Sequence, residues 1–118
     1  MIDFNDVRYF CLSLPHVTED FPFDASTLAF RVGGKIFSLA DVDEASSMNL
    51  KCDPEKAVDL RERHHFILPG YHMSKKHWNT IVFDPELSMD FLKELIVHSY
   101  ELIFNSLTKK QKEELLKN

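Results

Sequence analysis

Residues 28–39 read Leu-Ala-Phe-Arg-Val-Gly-Gly-Lys-Ile-Phe-Ser-Leu, two apolar segments on either side of a glycine pair. Adjacent glycines supply the positive φ angles that a two-residue hairpin turn requires. Such a turn pairs Val32 with Lys35, Phe30 with Phe37 and Leu28 with Leu39. Because side chains alternate along a strand, one face then carries Leu28, Phe30, Val32, Phe37 and Leu39, and the other Ala29, Arg31, Ile36 and Ser38. The stretch predicts an antiparallel β-hairpin with one apolar face.

The segments before and after the hairpin are also regular. Asp3 or Asn5 caps a first helix whose apolar residues recur at helical spacing and which Pro15 ends. Residues 16–26 are predicted to form a polar loop. Alternating apolar residues over 48–52 indicate a third strand.

The C-terminal half adds helices and shorter strands. Asp53-Pro54 begins a helix, with a capping carboxylate and a proline at the first helical position. Apolar runs at 66–68 and 79–83 indicate one or two further strands. Ser88 caps a long helix, and Thr108 begins a last short helix with capping-box spacing. The order α-β-β-β-α-β(β)-α-α predicts a two-layer α+β domain, with helices on one face of an antiparallel sheet.

Composition predicts one soluble domain over residues 1–118. Hydrophobic residues make up 44% and charged residues 28% of the chain, as in ordinary globular proteins. The sequence has no pattern typical of a signal peptide or of a membrane span. We therefore expect a cytoplasmic protein, with no membrane partner, that is monomeric. Cys11 and Cys52 lie at core-facing positions and are expected to be reduced rather than joined in a disulfide.

Residues 61–80 differ from the rest of the chain in charge. Four basic residues stand against one acid, a local balance of +3, whereas the whole chain carries −5 and the remainder therefore −8. The segment also holds four histidines, Tyr71 and Trp78. It can be a solvated loop whose basic side chains balance the charge of nearby acidic side chains, or it can be a surface that binds an anion. Lysine and arginine neutralise phosphates, and aromatic rings stack on bases.

Metal binding is not indicated by the histidines. The spacing of His64, His65, His72 and His77 fits no closed tetrahedral zinc site. Two histidines five residues apart would not share a helix face. We expect neither a metal nor another cofactor.

Catalysis is not indicated either. Both thiols lie on apolar periodicity, and burial raises a thiol pKa. The glycine pair lacks the rest of a phosphate-binding or dinucleotide motif. Glu19, Asp20 and Asp24 could act as acid and base, but a loop of this kind is more often simply solvated. No catalytic residue is assigned.

Five blocks of sequence, taken together in this order, resemble one family. They are Pro15 with the acidic loop to Asp24, the hairpin 30–37, residues 49–54, residues 69–80, and His98-Ser99-Tyr100. The most specific is His72-Met-Ser-Lys75-Lys-His77-Trp78. Over nearly its whole length the chain resembles MmcQ/YjbR family domains.

The resemblance implies a frataxin-like or secretion-chaperone-like two-layer fold. It also implies DNA binding through a pair of wings, without an agreed catalytic activity. The matching positions that could contact phosphate are Lys51, His72, Lys75, Lys76 and His77, with Trp78 beside them. Trp78 at the start of a strand is also well explained as a core anchor, and Tyr100 as a tie between the long helix and the sheet.

Three hypotheses follow. The first is a nucleic-acid-binding module for duplex DNA or another polyanion, which Lys75 and Lys76 contact. The second is a protein-interaction or chaperone-like adaptor that uses the sheet face with Ala29, Ile36 and Ser38. The third is a binder of a small anion or other ligand at the rim of the 72–77 loop.

Overall fold

The glycine hairpin forms part of a six-stranded antiparallel sheet in the computed structural model, which describes residues 1–70 and 73–117. The elements in chain order are α1 (Phe4–Ser13), β1 (Val17–Asp20), β2 (Thr27–Val32), β3 (Lys35–Asp41), β4 (Ser47–Lys51), α2 (Pro54–Arg63), β5 (Ile67–Pro69), β6 (Trp78–Val82), α3 (Met89–Ser106) and α4 (Lys109–Leu116). The strand order is β1-β2-β3-β4-β6-β5. The return of β6 to pair with β4 joins two parts of the chain that are far apart in sequence.

The core lies between the helices and one face of this sheet. Phe30, Leu50 and Ile81 point into it from three strands and are almost fully buried. They pack with apolar side chains of the helices, among them Val7 of α1 and Ile96 of α3. The predicted α+β architecture, with an antiparallel sheet covered by helices on one face, is confirmed. We call the opposite face the open face.

The helix starts agree with the sequence. The Asp3 carboxylate accepts the Asn5 N–H at 2.8 Å, and the Ser88 hydroxyl accepts the Phe91 N–H at 3.1 Å. Asp53 caps α2 in the same way, with Pro54 at its first position, and α4 begins with a complete capping box from Thr108. These caps satisfy backbone N–H groups that otherwise lack partners at helix starts.

The prediction that residues 16–26 form a loop is wrong for its first part. Val17–Asp20 is an edge strand, β1, which pairs antiparallel with β2 from Val17 opposite Val32 to Asp20 opposite Ala29. The Arg31 guanidinium donates to the Asp20 carboxylate at 2.8 Å across the pair. Four strands rather than three therefore precede α2.

The predicted hairpin register is correct at the turn and wrong beyond it. Val32 pairs with Lys35, but Phe30 pairs with Ser38 and Ala29 with Leu39, because a β-bulge interrupts the ladder. A bulge places two residues of one strand against one of the other. Ser38 therefore lies on the helix side of the sheet, and Leu39 on the open face, the reverse of the prediction.

Three consecutive residues of α3 bond to other segments. The His98 Nε2 accepts the Asp53 N–H at 3.3 Å, and the Tyr100 hydroxyl donates to the Pro15 carbonyl at 2.7 Å. The Ser99 hydroxyl donates to the carbonyl of Phe37 at 2.6 Å and accepts the N–H of Lys51 at 2.9 Å. The His98-Ser99-Tyr100 block thus joins α3 to the sheet, to the start of α2 and to the turn between α1 and β1. Tyr100 ties α3 to that turn rather than to the sheet itself.

Among residues 1–70 and 73–117, no helix has both the length and the apolar character needed to cross a bilayer.

Candidate functional site

The pairing of β4 with β6 brings Lys51 to the 73–77 loop. Lys51 lies directly opposite Trp78 in the ladder, and the N–H of Cys52 donates to the carbonyl of His77 at 2.8 Å. Lys75 and Lys76 lie in the same turn, immediately before β6. We call Lys51, Lys75, Lys76 and His77 the basic cluster.

The backbone of the 73–77 loop is held in place. The Ser74 carbonyl accepts the N–H groups of His77 at 3.1 Å and of Trp78 at 2.9 Å. From α2, the Arg61 guanidinium donates to the Lys75 carbonyl at 3.1 Å and to Asn79 Oδ1 at 2.8 Å. The main chain of the loop is thus held by hydrogen bonds, while the side chains of Lys75, Lys76 and His77 are exposed.

The lysines of the basic cluster keep their charge available. Within the described part of the chain, the ion pairs join Arg8 to Glu19, Arg31 to Asp20, Arg63 to Asp59, and His65 to Asp84 and Glu86. Lys51, Lys75 and Lys76 belong to none of these pairs. Lys75 and Lys76 are exposed and Lys51 is half-buried, and these ion pairs bring no carboxylate to contact distance of the three lysines.

Trp78 is half-buried and lies on the open face. Its strand neighbours Asn79 and Ile81 face the helices, so strand alternation turns Trp78 to the other side with Thr80. The N–H of Gly70 donates to the Trp78 carbonyl at 3.0 Å, and a Cβ at Gly70 would lie 2.9 Å from the Trp78 Cβ. Trp78 is thus a neighbour of Lys51 on the surface, outside the main core cluster. The expected contact His72 lies outside the described residues.

A groove of about 420 Å³ lies beside the basic cluster. Its lining comes from the loop before β2, from the loop before β6 and from the strands between them. These residues are Phe23, Asp24, Thr27, Leu39, Ala40, Asp41, Ser47, Met48, Asn49 and Met73. The sequence reasoning missed this groove. The one local signal was the pair of phenylalanines, Phe21 and Phe23, in an otherwise polar loop.

The acidic loop residues are bound to separate partners. Glu19 pairs with Arg8, which lowers the Glu19 pKa, and Asp20 pairs with Arg31. The Asp24 carboxylate accepts the backbone N–H groups of Ser26 and Thr27, which hold its pKa below the ordinary value. Glu19, Asp20 and Asp24 therefore do not form a pair of carboxylates around one reacting atom.

His64 and His65 have separate surroundings although they are adjacent in sequence. The His64 ring lies against Phe66 and Phe91, with centroids 5.1 and 4.9 Å away. His65 instead contacts two carboxylates, with Nε2 3.2 Å from Asp84 and Nδ1 3.4 Å from Glu86. Among the described residues this trio is the one group with potential metal-ligand atoms within 4.8 Å of one another. It contains no residue of the basic cluster.

Both cysteines are free and buried. Burial raises the pKa of the Cys11 thiol to about 12, with a smaller contribution from the Glu19 charge. Burial also raises the pKa of the Cys52 thiol. A thiol with a raised pKa carries little of the reactive thiolate at neutral pH.

Comparison with known proteins gives one consistent family. A family model described as YjbR matches residues 12–102. The chain is 38% identical over 100 residues to YbdF of Escherichia coli, in an alignment that covers 84% of this chain and 82% of that protein. It is 25% identical to Escherichia coli YjbR over 95% of this chain and 96% of that one. A crystal structure of a Deinococcus radiodurans protein with a DUF419 domain aligns with a TM-score of 0.89 and 39% identity, and covers 98% of this chain and 88% of that one.

Proposed function

This chain belongs to the YjbR family, and from that premise we propose that it is a nucleic-acid-binding protein without a catalytic role. In this proposal Lys51, Lys75 and Lys76 contact phosphates, and His77 adds a polar contact. The proposal assumes a cytoplasmic location, which two free, buried cysteines suit.

The observation that carries the proposal is the meeting of cations at one place on an acidic protein. Lys51 is more than twenty positions from Lys75, yet it lies opposite Trp78, three residues beyond Lys75. The net charge of −5 disfavours non-specific attraction of nucleic acid to most of the surface. Binding through the lysines of one fixed loop and of the neighbouring strand β4 therefore predicts a single orientation on the polyanion.

The raised thiol pKa values and the separate partners of the acidic loop support a binding role over a catalytic one. Neither thiol is poised as a nucleophile. Glu19 and Asp20 are each engaged by an arginine. A general acid or base must instead be free to reach a substrate proton.

The salt dependence of binding to random duplex DNA tests this proposal. We expect a dissociation constant below about 10⁻⁴ M at physiological salt. The double variant Lys75→Ala/Lys76→Ala should weaken binding and flatten the plot of log affinity against log salt by about two units, because two fewer counterions are released.

The matched control is Lys109→Ala/Lys110→Ala, which removes two exposed lysines of α4 with the same change in net charge. It should leave the salt slope close to that of the wild type. If both double variants change the slope equally, or if neither changes it, the basic cluster is not the phosphate-binding surface.

A protein-interaction adaptor is the second candidate function. Phe21 and Phe23 favour it, since these residues are 49% and 67% exposed in the loop beside the open face. Exposed aromatic side chains are enriched where proteins meet. An adaptor would keep its partner after the Lys75→Ala/Lys76→Ala change and lose it after Phe21→Ala/Phe23→Ala.

A further inference from the structure

The groove on the open face and the basic cluster form one continuous surface. Asn49 lines the groove, and Lys51 follows it on the same side of β4, about 7 Å farther along the strand. Met73 also lines the groove, and Lys75 is two residues beyond it in the same loop. A ligand in the groove therefore has the lysines at its exit.

The groove offers apolar surfaces for a flat ring. Phe23 is 67% exposed, and Met73 and Leu39 also contribute to the lining. Aromatic side chains stack on nucleobases without regard to sequence, because every base presents a π-face. A volume of about 420 Å³ lies within the range of small-ligand sites, roughly 300–1,000 Å³.

The polar groups of the groove match the edge of a base rather than a phosphate. The Asp24 and Asp41 carboxylates each accept two backbone N–H groups of their own turns. Their remaining lone pairs can accept further hydrogen bonds, and their charges repel anions. Asn49 Oδ1 accepts the Thr80 hydroxyl at 2.5 Å. The Asn49 side-chain NH₂ has no partner within the described residues and is free to donate. Amino groups on bases are donors, and ring nitrogens and carbonyls are acceptors.

The geometry points to an unpaired base of single-stranded nucleic acid in the groove, with the adjoining phosphates at Lys51 and Lys75. This inference rests on the proposed function and names its partner. The two carboxylates keep phosphates out of the groove and favour bases that carry an amino group. A strand of cytosines should therefore bind more tightly than a strand of thymines, because the cytosine amino group is a donor that carboxylates accept.

Fluorescence anisotropy with four labelled probes of about 15 nucleotides tests the inference. The probes are a cytosine strand, a thymine strand, an abasic strand that keeps only sugar and phosphate, and a duplex. The wild-type protein should prefer the cytosine strand over each of the others. Phe23→Ala should weaken binding of that strand at least about fivefold, as expected for the loss of one base stack, and should leave the salt slope unchanged.

Tyr9→Ala is the matched control, because Tyr9 is an exposed aromatic residue on α1, outside the groove. Its affinities should equal those of the wild type. If the abasic strand binds as tightly as the cytosine strand, or if Phe23→Ala binds like the wild type, the inference is wrong. The proposed function still stands in that case if the Lys75→Ala/Lys76→Ala change flattens the salt slope.

Two other outcomes overturn the inference in different ways. If cytidine monophosphate alone binds as tightly as the strand, the groove is a mononucleotide site. If no probe shows binding that depends on the lysines of the basic cluster, the inference and the proposed function both fail.

Discussion

Ser38 and Ser99 are fully buried serines whose hydroxyls have different surroundings. The Ser99 hydroxyl bonds to the Phe37 carbonyl and to the Lys51 N–H, and so bridges β3 and β4 beside the bulge. The Ser38 hydroxyl has no hydrogen-bond partner among the described residues. Burying a hydroxyl without a partner is unfavourable, whereas removing one that satisfies two backbone groups leaves those groups unpaired.

Alanine substitution should therefore act in opposite directions at these two serines. Ser99→Ala should lower the free energy of unfolding by about 2 kcal/mol, because it leaves a buried carbonyl and N–H unpaired. Ser38→Ala should leave it unchanged or raise it. Urea unfolding of both variants measures the difference, and equal destabilisation by the two substitutions would contradict this interpretation.

His98 should make stability depend on pH. Burial, aided by the Lys56 charge, lowers the His98 pKa below its ordinary value of 6.5, and the neutral ring accepts the Asp53 N–H. The unfolded chain therefore binds the proton more readily than the folded chain does. The contribution of neutral His98 to the free energy of unfolding is therefore complete above about pH 6.5 and declines as the pH falls below that value.

The variant His98→Gln separates this effect from other titrating groups. Glutamine has an amide oxygen that can accept the Asp53 N–H, and it does not titrate. Urea unfolding between pH 7.5 and 5.5, above the range in which most carboxylates titrate, should show a smaller loss of stability for His98→Gln than for the wild type. Parallel pH profiles would show that His98 does not contribute.

At the scale of elements, the glycine turn fixes the β2–β3 hairpin through backbone conformation. Gly33 and Gly34 have φ angles of +60° and +80°, both in the left-handed region. This pair of positive angles is typical of a type I′ turn. A Cβ at Gly33 would lie 2.6 Å from the Leu107 side chain, whereas a Cβ at Gly34 would meet no atom within 4 Å.

Alanine should consequently destabilise the turn more at Gly33 than at Gly34. Gly34→Ala carries the left-handed backbone penalty of about 1–2 kcal/mol. Gly33→Ala carries the same penalty and also displaces Leu107, which adds about 1 kcal/mol. Thermal or urea unfolding measures both variants. A larger effect at Gly34 would contradict the geometry of the turn.

Most of the elements could be predicted from local sequence, and β1 could not. Helix caps, the glycine turn and Pro54 act within a few residues of their own position. In Val17–Asp20 only one residue is apolar, so the segment lacks the alternation typical of a half-buried strand. Its pairing with β2 and the Arg31–Asp20 contact create the strand, and both depend on distant residues.

The β-bulge was missed for a similar reason. A regular register that pairs Phe30 with Phe37 places five apolar residues on one face, and the local pattern favours it. The structure instead pairs Phe30 with Ser38 and packs the Phe37 ring edge-on against Tyr100, with centroids 5.6 Å apart. Packing of Phe37 against α3 favours this register. The alternation of apolar residues within two strands cannot reveal such a contact with a distant helix.

At the scale of the whole molecule, the sequence indicates which cations belong to the candidate site but not the shape of the surface around them. Local charge identified Lys75 and Lys76, whereas Lys51 came from a family resemblance. Its position beside them depends on the pairing of β4 with β6. The groove combines Phe23 and Met73, from loops fifty residues apart. Only the sheet order brings those loops together.

The most direct test of the account maps backbone amide chemical shifts of the labelled protein during titration with a cytosine strand of about 15 nucleotides. We predict that the largest changes fall at residues 49–51 and 73–78, and that α4 (Lys109–Leu116) changes little despite its lysines. If the changes concentrate instead on α4 or α1, or if saturating strand produces none, the basic cluster is not the nucleic-acid surface.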